Sequence, residues 1–202
     1  MGREQAHQFY DDIFANSPKY ALPVEESKWY SSWLFIADRV AEVHPDIVID
    51  LGCGPGHFAE ILSKHLKHGF QYVGYDFSPV AIEQASIRMR GDPRFSFEKA
   101  DLKAKNFNEH IQSHQMVMYL AFEFLEHVRW DRKVMRRMYP GFPVMITLPT
   151  FDDAGHARHF RKINRALRRY RRHIAIEESC ELDVGKHFMI RGKSRRARWV
   201  IW

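Results

Sequence analysis

Apolar and polar positions along this chain alternate between two periods. Apolar runs of strand length fall near 46–51, 70–76, 94–98, 115–121, 142–148, 172–182 and 186–193. Between them, stripes with 3.6-residue spacing cover 25–43, 56–67, 79–90, 123–138 and 157–171, lengths that suit helices. Strands alternating with helices predict an α/β fold, a mostly parallel sheet with helices on both faces. Only Asp183-Val184-Gly185 separate the last two runs, which should therefore pair as a C-terminal antiparallel hairpin. No repeat or linker interrupts the 202 residues, so the chain reads as a single domain, 1–202.

The first strand pattern leads into the most informative segment, IVIDLGCGPGHFAEIL (Ile47–Leu62). An apolar run ends in Asp50, glycines follow at Gly52, Gly54 and Gly56, and a helical stripe begins. Glycine has no Cβ and tolerates positive φ, so this loop can pass very close to a nucleotide-like ligand. The spacing G-x-G-x-G is not the dinucleotide fingerprint, because His57 stands where the third glycine of G-x-G-x-x-G belongs. A carboxylate at the strand end repels pyrophosphate and suits a cationic amino-acid cofactor. VIDLGCGPG resembles motif I of the class I S-adenosylmethionine (SAM) methyltransferases.

Two further strand ends match that resemblance. FQYVGYD ends in Asp76, 24 residues after Gly52, and Phe77-Ser78-Pro79 then opens a helix with Ser78 as N-cap. RFSFEKADL runs into Asp101 and Leu102. The resemblance implies a Rossmann-like, seven-stranded sheet with its ligand at the carboxyl ends of the strands. It also implies that Asp50, Gly52, Cys53, Gly54 and Gly56 lie along the cofactor's methionine end. Asp76, with Phe77 and Ser78, would meet the ribose hydroxyls, and Asp101 with Leu102 the adenine.

The fourth strand pattern, MVMYLAFEFLEHV, ends in Glu123, Glu126 and His127. If a helix starts at Glu123, positions i, i+3 and i+4 share one face. E-x-x-E-H here resembles the ubiquinone-pathway O-methyltransferases and the enzymes that methylate the 2′-hydroxyl of small RNAs. In both groups the triplet contributes to a divalent-metal site. ITLPTFDDAGHARHF follows the fifth strand, and relatives carry a G-H-x-R segment at this point, so His156, Arg158 and His159 are expected to face the acceptor. The candidate metal ligands are Glu123, Glu126, His127 and His156, for Mg²⁺ or another divalent ion. Without metal, His127 or His156 is the general base, with Glu126 beside it. Asp152 and Asp153 are candidate caps of this turn. One departure from the family is Gln115, where relatives often begin the strand with aspartate.

Charge is unevenly spread. Residues 151–202 hold 14 Lys and Arg against 6 Asp and Glu, while the first 150 residues hold 17 against 19. This basic region, with Tyr170, Trp199 and Trp202 interleaved, can be a solvated face, an attractor of phosphorylated small molecules, or an RNA-binding surface. The aromatic segment 1–44 is expected to be an N-terminal helical lid over the core at 45–202. Tyr10 and Tyr20 are candidate pocket walls, whereas Trp29 and Trp33 fall on a core-facing stripe. Two cysteines give no disulfide framework, and no run is long enough to span a bilayer, so a reducing cytoplasm is expected. The Asn/Asp-Pro-Pro-aromatic motif of amino-methylating DNA enzymes is missing, as is a Pro-Cys nucleophile. The sequence thus predicts a SAM-dependent O-methyltransferase acting on a small hydroxylated metabolite. A metal-dependent RNA 2′-O-methyltransferase is one alternative, and a SAM-binding protein without transferase activity another.

Overall fold

A computed structural model describes residues 4–182 and 186–196. Seven strands, β1 (Ile47–Leu51), β2 (Gln71–Asp76), β3 (Phe95–Lys99), β4 (Val117–Phe122), β5 (Pro143–Pro149), β6 (Ile174–Leu182) and β7 (His187–Ser194), form one sheet. Their order is β3-β2-β1-β4-β5-β7-β6. β7 alone runs antiparallel, inserted between β5 and β6. The predicted hairpin is present with Leu182 opposite His187, although its turn, Asp183-Val184-Gly185, lies outside the described residues.

Alternation within the strands sends side chains to two cores. On one face Ile47, Ile49 and Leu51 pack with Leu125, with Val134 and Met135 of α5 (Asp131–Arg137), and with Ala166 and Tyr170 of α6 (Ile163–Tyr170). On the other, Val48, Met118 and Leu120 meet α2 (Tyr30–Val43) and α3 (His57–His65). The stripe Ile36, Ala37 and Val40 is what α2 buries. α4 (Pro79–Arg88) begins as its sequence requires, Ser78 Oγ accepting from the Ala81 N–H with Pro79 in the first turn.

Three expectations about elements need correction. The chain adds a helix, α1 (His7–Asn16), whose apolar positions Phe9, Tyr10, Ile13 and Phe14 do carry helical spacing. The helix expected over 123–138 exists only as α5, and Glu123 itself sits at φ 48, in the left-handed region. A φ of this sign cannot begin a right-handed helix, so 123–130 is a chain of turns. The stripe at 157–171 likewise becomes helical only at Ile163, because Ala157 and Arg158 spend their N–H groups on the Glu126 carbonyl.

Candidate functional site

The glycine loop leaves β1 at the carboxyl end of the sheet, with Gly52, Gly54 and Gly56 at φ 83, 53 and 80. Side chains press on two of them. A Cβ on Gly52 would come within 2.7 Å of Phe124, and one on Gly56 within 3.0 Å of Ala85. Gly54 is the open one, facing only the Phe14 ring of α1 at 3.9 Å. Asp76 fixes this loop: its two oxygens accept from the Gly54 N–H (3.0 Å) and the Ser78 N–H (2.9 Å). Asp50 accepts a 2.5 Å bond from the Tyr72 hydroxyl through one oxygen, while its other oxygen is buried without a partner. Burial pushes both carboxyls up to about 6. The Cys53 thiol is buried and likewise raised.

Around this loop, Phe77 is 37% exposed and lies against the Tyr10 ring, 5.2 Å between centroids. Ser78 Oγ also donates to Asp11 of α1. Asp101 is exposed past the end of β3 and caps its own turn by accepting from the Lys103 N–H, while Leu102 is buried. His57 is buried between Trp33 and Tyr20, and desolvation, with Arg88 beside it, lowers its pKa to about 4.

The turns after β4 and β5 bring a second group together. One ligand atom from each of Glu126, His127 and His156 lies within 4.8 Å of the others. His127 Nδ1 stands 2.9 Å from the Gly155 carbonyl and 3.0 Å from the Tyr10 hydroxyl, and His156 Nδ1 stands 3.2 Å from the Phe151 carbonyl. With Nδ1–H donated to a carbonyl, each ring keeps a bare Nε2, and that of His127 stands 3.9 Å from Glu126 Oε1. Burial lowers both histidines, so both are neutral at pH 7. Glu126 is fully buried, neither oxygen has a partner, and desolvation, reinforced by Glu123, raises it well above the carboxylate range.

Glu123 belongs elsewhere. Its N–H donates to Thr147 Oγ1 of β5, and its carboxylate lies 3.5 Å from His187 Nε2 at the start of β7. Arg158, expected at the acceptor wall, is instead a buried staple. It donates to the carbonyls of Leu125 and Val128 and reaches Asp131. Asp131 also takes a forked pair from Arg169 (2.6 and 2.8 Å) and the Tyr170 hydroxyl (2.8 Å). His159 pairs with Asp152, and Asp153 caps the turn through the Ala154 N–H. On α6, Arg165 and Arg168 stay exposed, as do Arg171 and Arg172 just past it; Trp199 and Trp202 lie outside the described residues.

Sequence reasoning missed His187 and Thr147, and it put no helical stripe on α1, which lies within the helical lid expected over 1–44. α1 closes over both groups: the Tyr10 ring meets Phe77 on one side and His127, at 5.3 Å, on the other. Its amphipathic spacing was a usable signal. Nothing in the local sequence of His187 marks it, because the antiparallel β7 alone carries it to the ends of β4 and β5.

Comparison with known proteins bears on this geometry. Residues 48–141 match the family described as a methyltransferase domain. Over 63 residues the chain is 36% identical to trans-aconitate 2-methyltransferase of Methylobacterium radiotolerans, a match covering 31% of this chain and only 23% of that protein. The fold is similar to the N-methyltransferase NodS of Bradyrhizobium japonicum WM9 in complex with S-adenosyl-L-homocysteine. That likeness has a TM-score of 0.66 at 16% identity, over 93% of this chain and 97% of NodS. It is also similar to the [4+2]-cyclase SpnF, with a TM-score of 0.66 at 15% identity, over 92% and 78% of the two chains. The chain carries a methyltransferase-type Rossmann-like core with the antiparallel strand that its sequence predicts. Among the described residues, no helix is long and apolar enough to cross a membrane.

Proposed function

We propose that this protein is a SAM-dependent methyltransferase that O-methylates a small hydroxylated metabolite. The observation that carries the reading is the convergence of Glu126, His127 and His156 within 4.8 Å, linked through the single ring of Tyr10 to Phe77 and the glycine loop. The main chain at Gly52, Cys53, Gly54 and Gly56, with Asp50, is the cradle for the methionine end of SAM. Gly54 supplies the close approach. Asp76, Phe77 and Ser78 serve the ribose side, and Asp101 and Leu102 the adenine side. SAM supplies an electrophilic methyl group.

The chain's own residues then handle the acceptor. A neutral imidazole, that of His127 or His156, takes the hydroxyl proton. The same three side chains fit a divalent cation, since Glu126 is a buried carboxylate with two unpartnered oxygens. Such an ion would lower the hydroxyl's pKa. Two imidazoles and one carboxylate suit Mn²⁺, Fe²⁺ or Zn²⁺ better than Mg²⁺, which prefers oxygen donors. Glu123, turned toward His187, is a poor fourth ligand. Cys53 and Cys180 form no disulfide, which suits a reducing cytoplasm.

A second reading, RNA 2′-O-methylation, is favoured by the exposed Arg165, Arg168, Arg171 and Arg172, which have no ion-pair partner among the described residues. The deciding experiment is turnover of SAM against separate metabolite and RNA pools, with and without EDTA. S-adenosylhomocysteine formed only with the metabolite pool supports the small-molecule reading, and a salt-sensitive response to RNA supports the second. Loss of activity in EDTA assigns the cluster to a metal, and indifference assigns it to a base. SAM bound without turnover on either pool defeats both.

A further inference from the structure

Beside the proposed reaction centre, the ends of β4, β5 and β7 and the start of α2 enclose a cavity of about 10 Å³, room for about one water-sized group. Its walls include Trp29 and Trp33, Glu123, Thr147 and His187. Two polar atoms here are buried without a hydrogen-bond partner among the described residues, Trp29 Nε1 and His187 Nε2. The His187 side chain is 4% exposed, and its Nε2 stands 3.5 Å from the Glu123 carboxylate, beyond a good hydrogen bond. Thr147 Oγ1 accepts from the Glu123 N–H, which leaves its own proton to donate. The turn that aims Glu123 is held in the left-handed region at φ 48, a strain the surrounding packing must enforce.

We propose that this cavity is a specificity subsite that receives a second hydroxyl of the methyl acceptor, distinct from the hydroxyl that is methylated. The inference rests on the O-methyltransferase reading above. A hydroxyl accepts from the Trp29 N–H and from His187 in its Nε2–H tautomer through its two lone pairs, and donates its one proton to Glu123. Other groups fail on the same atoms. A primary ammonium has no lone pair for the Trp29 N–H. A carboxylate or phosphate meets the negative Glu123 and is too large, and a methyl leaves both buried polar atoms unpaired. The Phe151 ring packs against both the His187 and the His156 rings, 5.5 Å between centroids in each case, and so joins the subsite to the reaction centre through one side chain. The acceptor class is therefore a diol or polyol, such as a catechol or a sugar.

The test reads the Trp29 indole N–H by ¹H–¹⁵N NMR, assigned with Trp29→Phe. The protein is titrated with catechol against phenol, D-ribose against 2-deoxy-D-ribose, and benzylamine as the ammonium probe. The expected result is a shift of the Trp29 resonance by one diol, bound at least tenfold more tightly than its deoxy partner. Glu123→Gln, which preserves shape, should remove most of that difference while spectral dispersion reports an intact fold. An unmoved resonance marks a structural water site and overturns the proposal, as do equal affinities within both pairs or a preference for benzylamine. Binding of SAM, measured in the same samples, tests the methyltransferase reading separately.

Discussion

Around the glycine loop, three of the four carboxylate oxygens of Asp50 and Asp76 are hydrogen-bonded, whereas both oxygens of Glu126 across the site have no partner. The two regions face the same end of the sheet and differ in how they are assembled. The loop after β1 is contiguous in sequence and is satisfied by the end of its neighbour β2, the Tyr75 carbonyl accepting from the Gly52 and Cys53 N–H groups and Asp76 from the Gly54 N–H. The second region joins α1, the turns after β4 and β5, and β7, and it leaves buried polar groups unpaired. Leaving such a group unpaired costs about 1–3 kcal/mol. The first region is largely complete as it stands, while the second leaves buried polar atoms open among the described residues.

Removing the staple of the second region should have the largest effect. Arg158→Met leaves the Leu125 and Val128 carbonyls without this donor, at a cost of about 1–3 kcal/mol each, while Asp131 keeps Arg169 and Tyr170. Arg94→Met, at the partly exposed Arg94–Asp92 pair behind the first region, should cost under about 1 kcal/mol. Urea midpoints of the two variants decide the matter, and equal losses erase the contrast.

Glu126→Gln should lower turnover about 100-fold, the scale of a lost acid–base group, without lowering the melting temperature. Burial already favours the neutral form of the Glu126 carboxyl group, and a neutral amide of the same shape replaces it without breaking a hydrogen bond. A fall in melting temperature of several degrees, with activity retained, would make Glu126 a structural residue.

The glycines sharpen the comparison within the first region. Gly52→Ala drives a methyl into Phe124 at a positive φ, and should cost about 2–4 kcal/mol. Gly54→Ala meets only the Phe14 ring at 3.9 Å, so its cost is the backbone term of about 1–2 kcal/mol. Gly54→Ala should nevertheless weaken SAM binding more per unit of lost stability, which calorimetric titration of the two variants can check.

The first region also carries a pH dependence. Burial raises Asp50 from 3.8 to about 6, so the folded state holds its proton more tightly than the unfolded chain does. That contribution is fully present below about pH 4, is lost as pH rises through about 6, and is absent above. Asp50→Asn should therefore gain stability relative to the parent on going from pH 4 to pH 7.5, by about 2 kcal/mol. A constant difference across that range would show that Asp50 keeps an ordinary pKa in the folded protein.

The sequence by itself determined the sheet, the glycine loop and the acids at the strand ends, because apolar periodicity, φ > 0 glycines and the Ser78-Pro79 helix start are local properties. It also put Glu126 and His127 after the fourth strand and His156 after the fifth, although it expected the first two on a helix. Tertiary structure alone decided that Glu123 turns away to His187, that Arg158 holds the main chain rather than facing the pocket, and that α1 lies over both groups. It also decided which polar atoms stay unpaired. The physical reason is that a helical stripe at 123–138 reports only which side chains prefer burial. The left-handed φ at Glu123 and the Arg158 bonds arise where β4, β5 and β7 meet, and no local periodicity encodes that meeting.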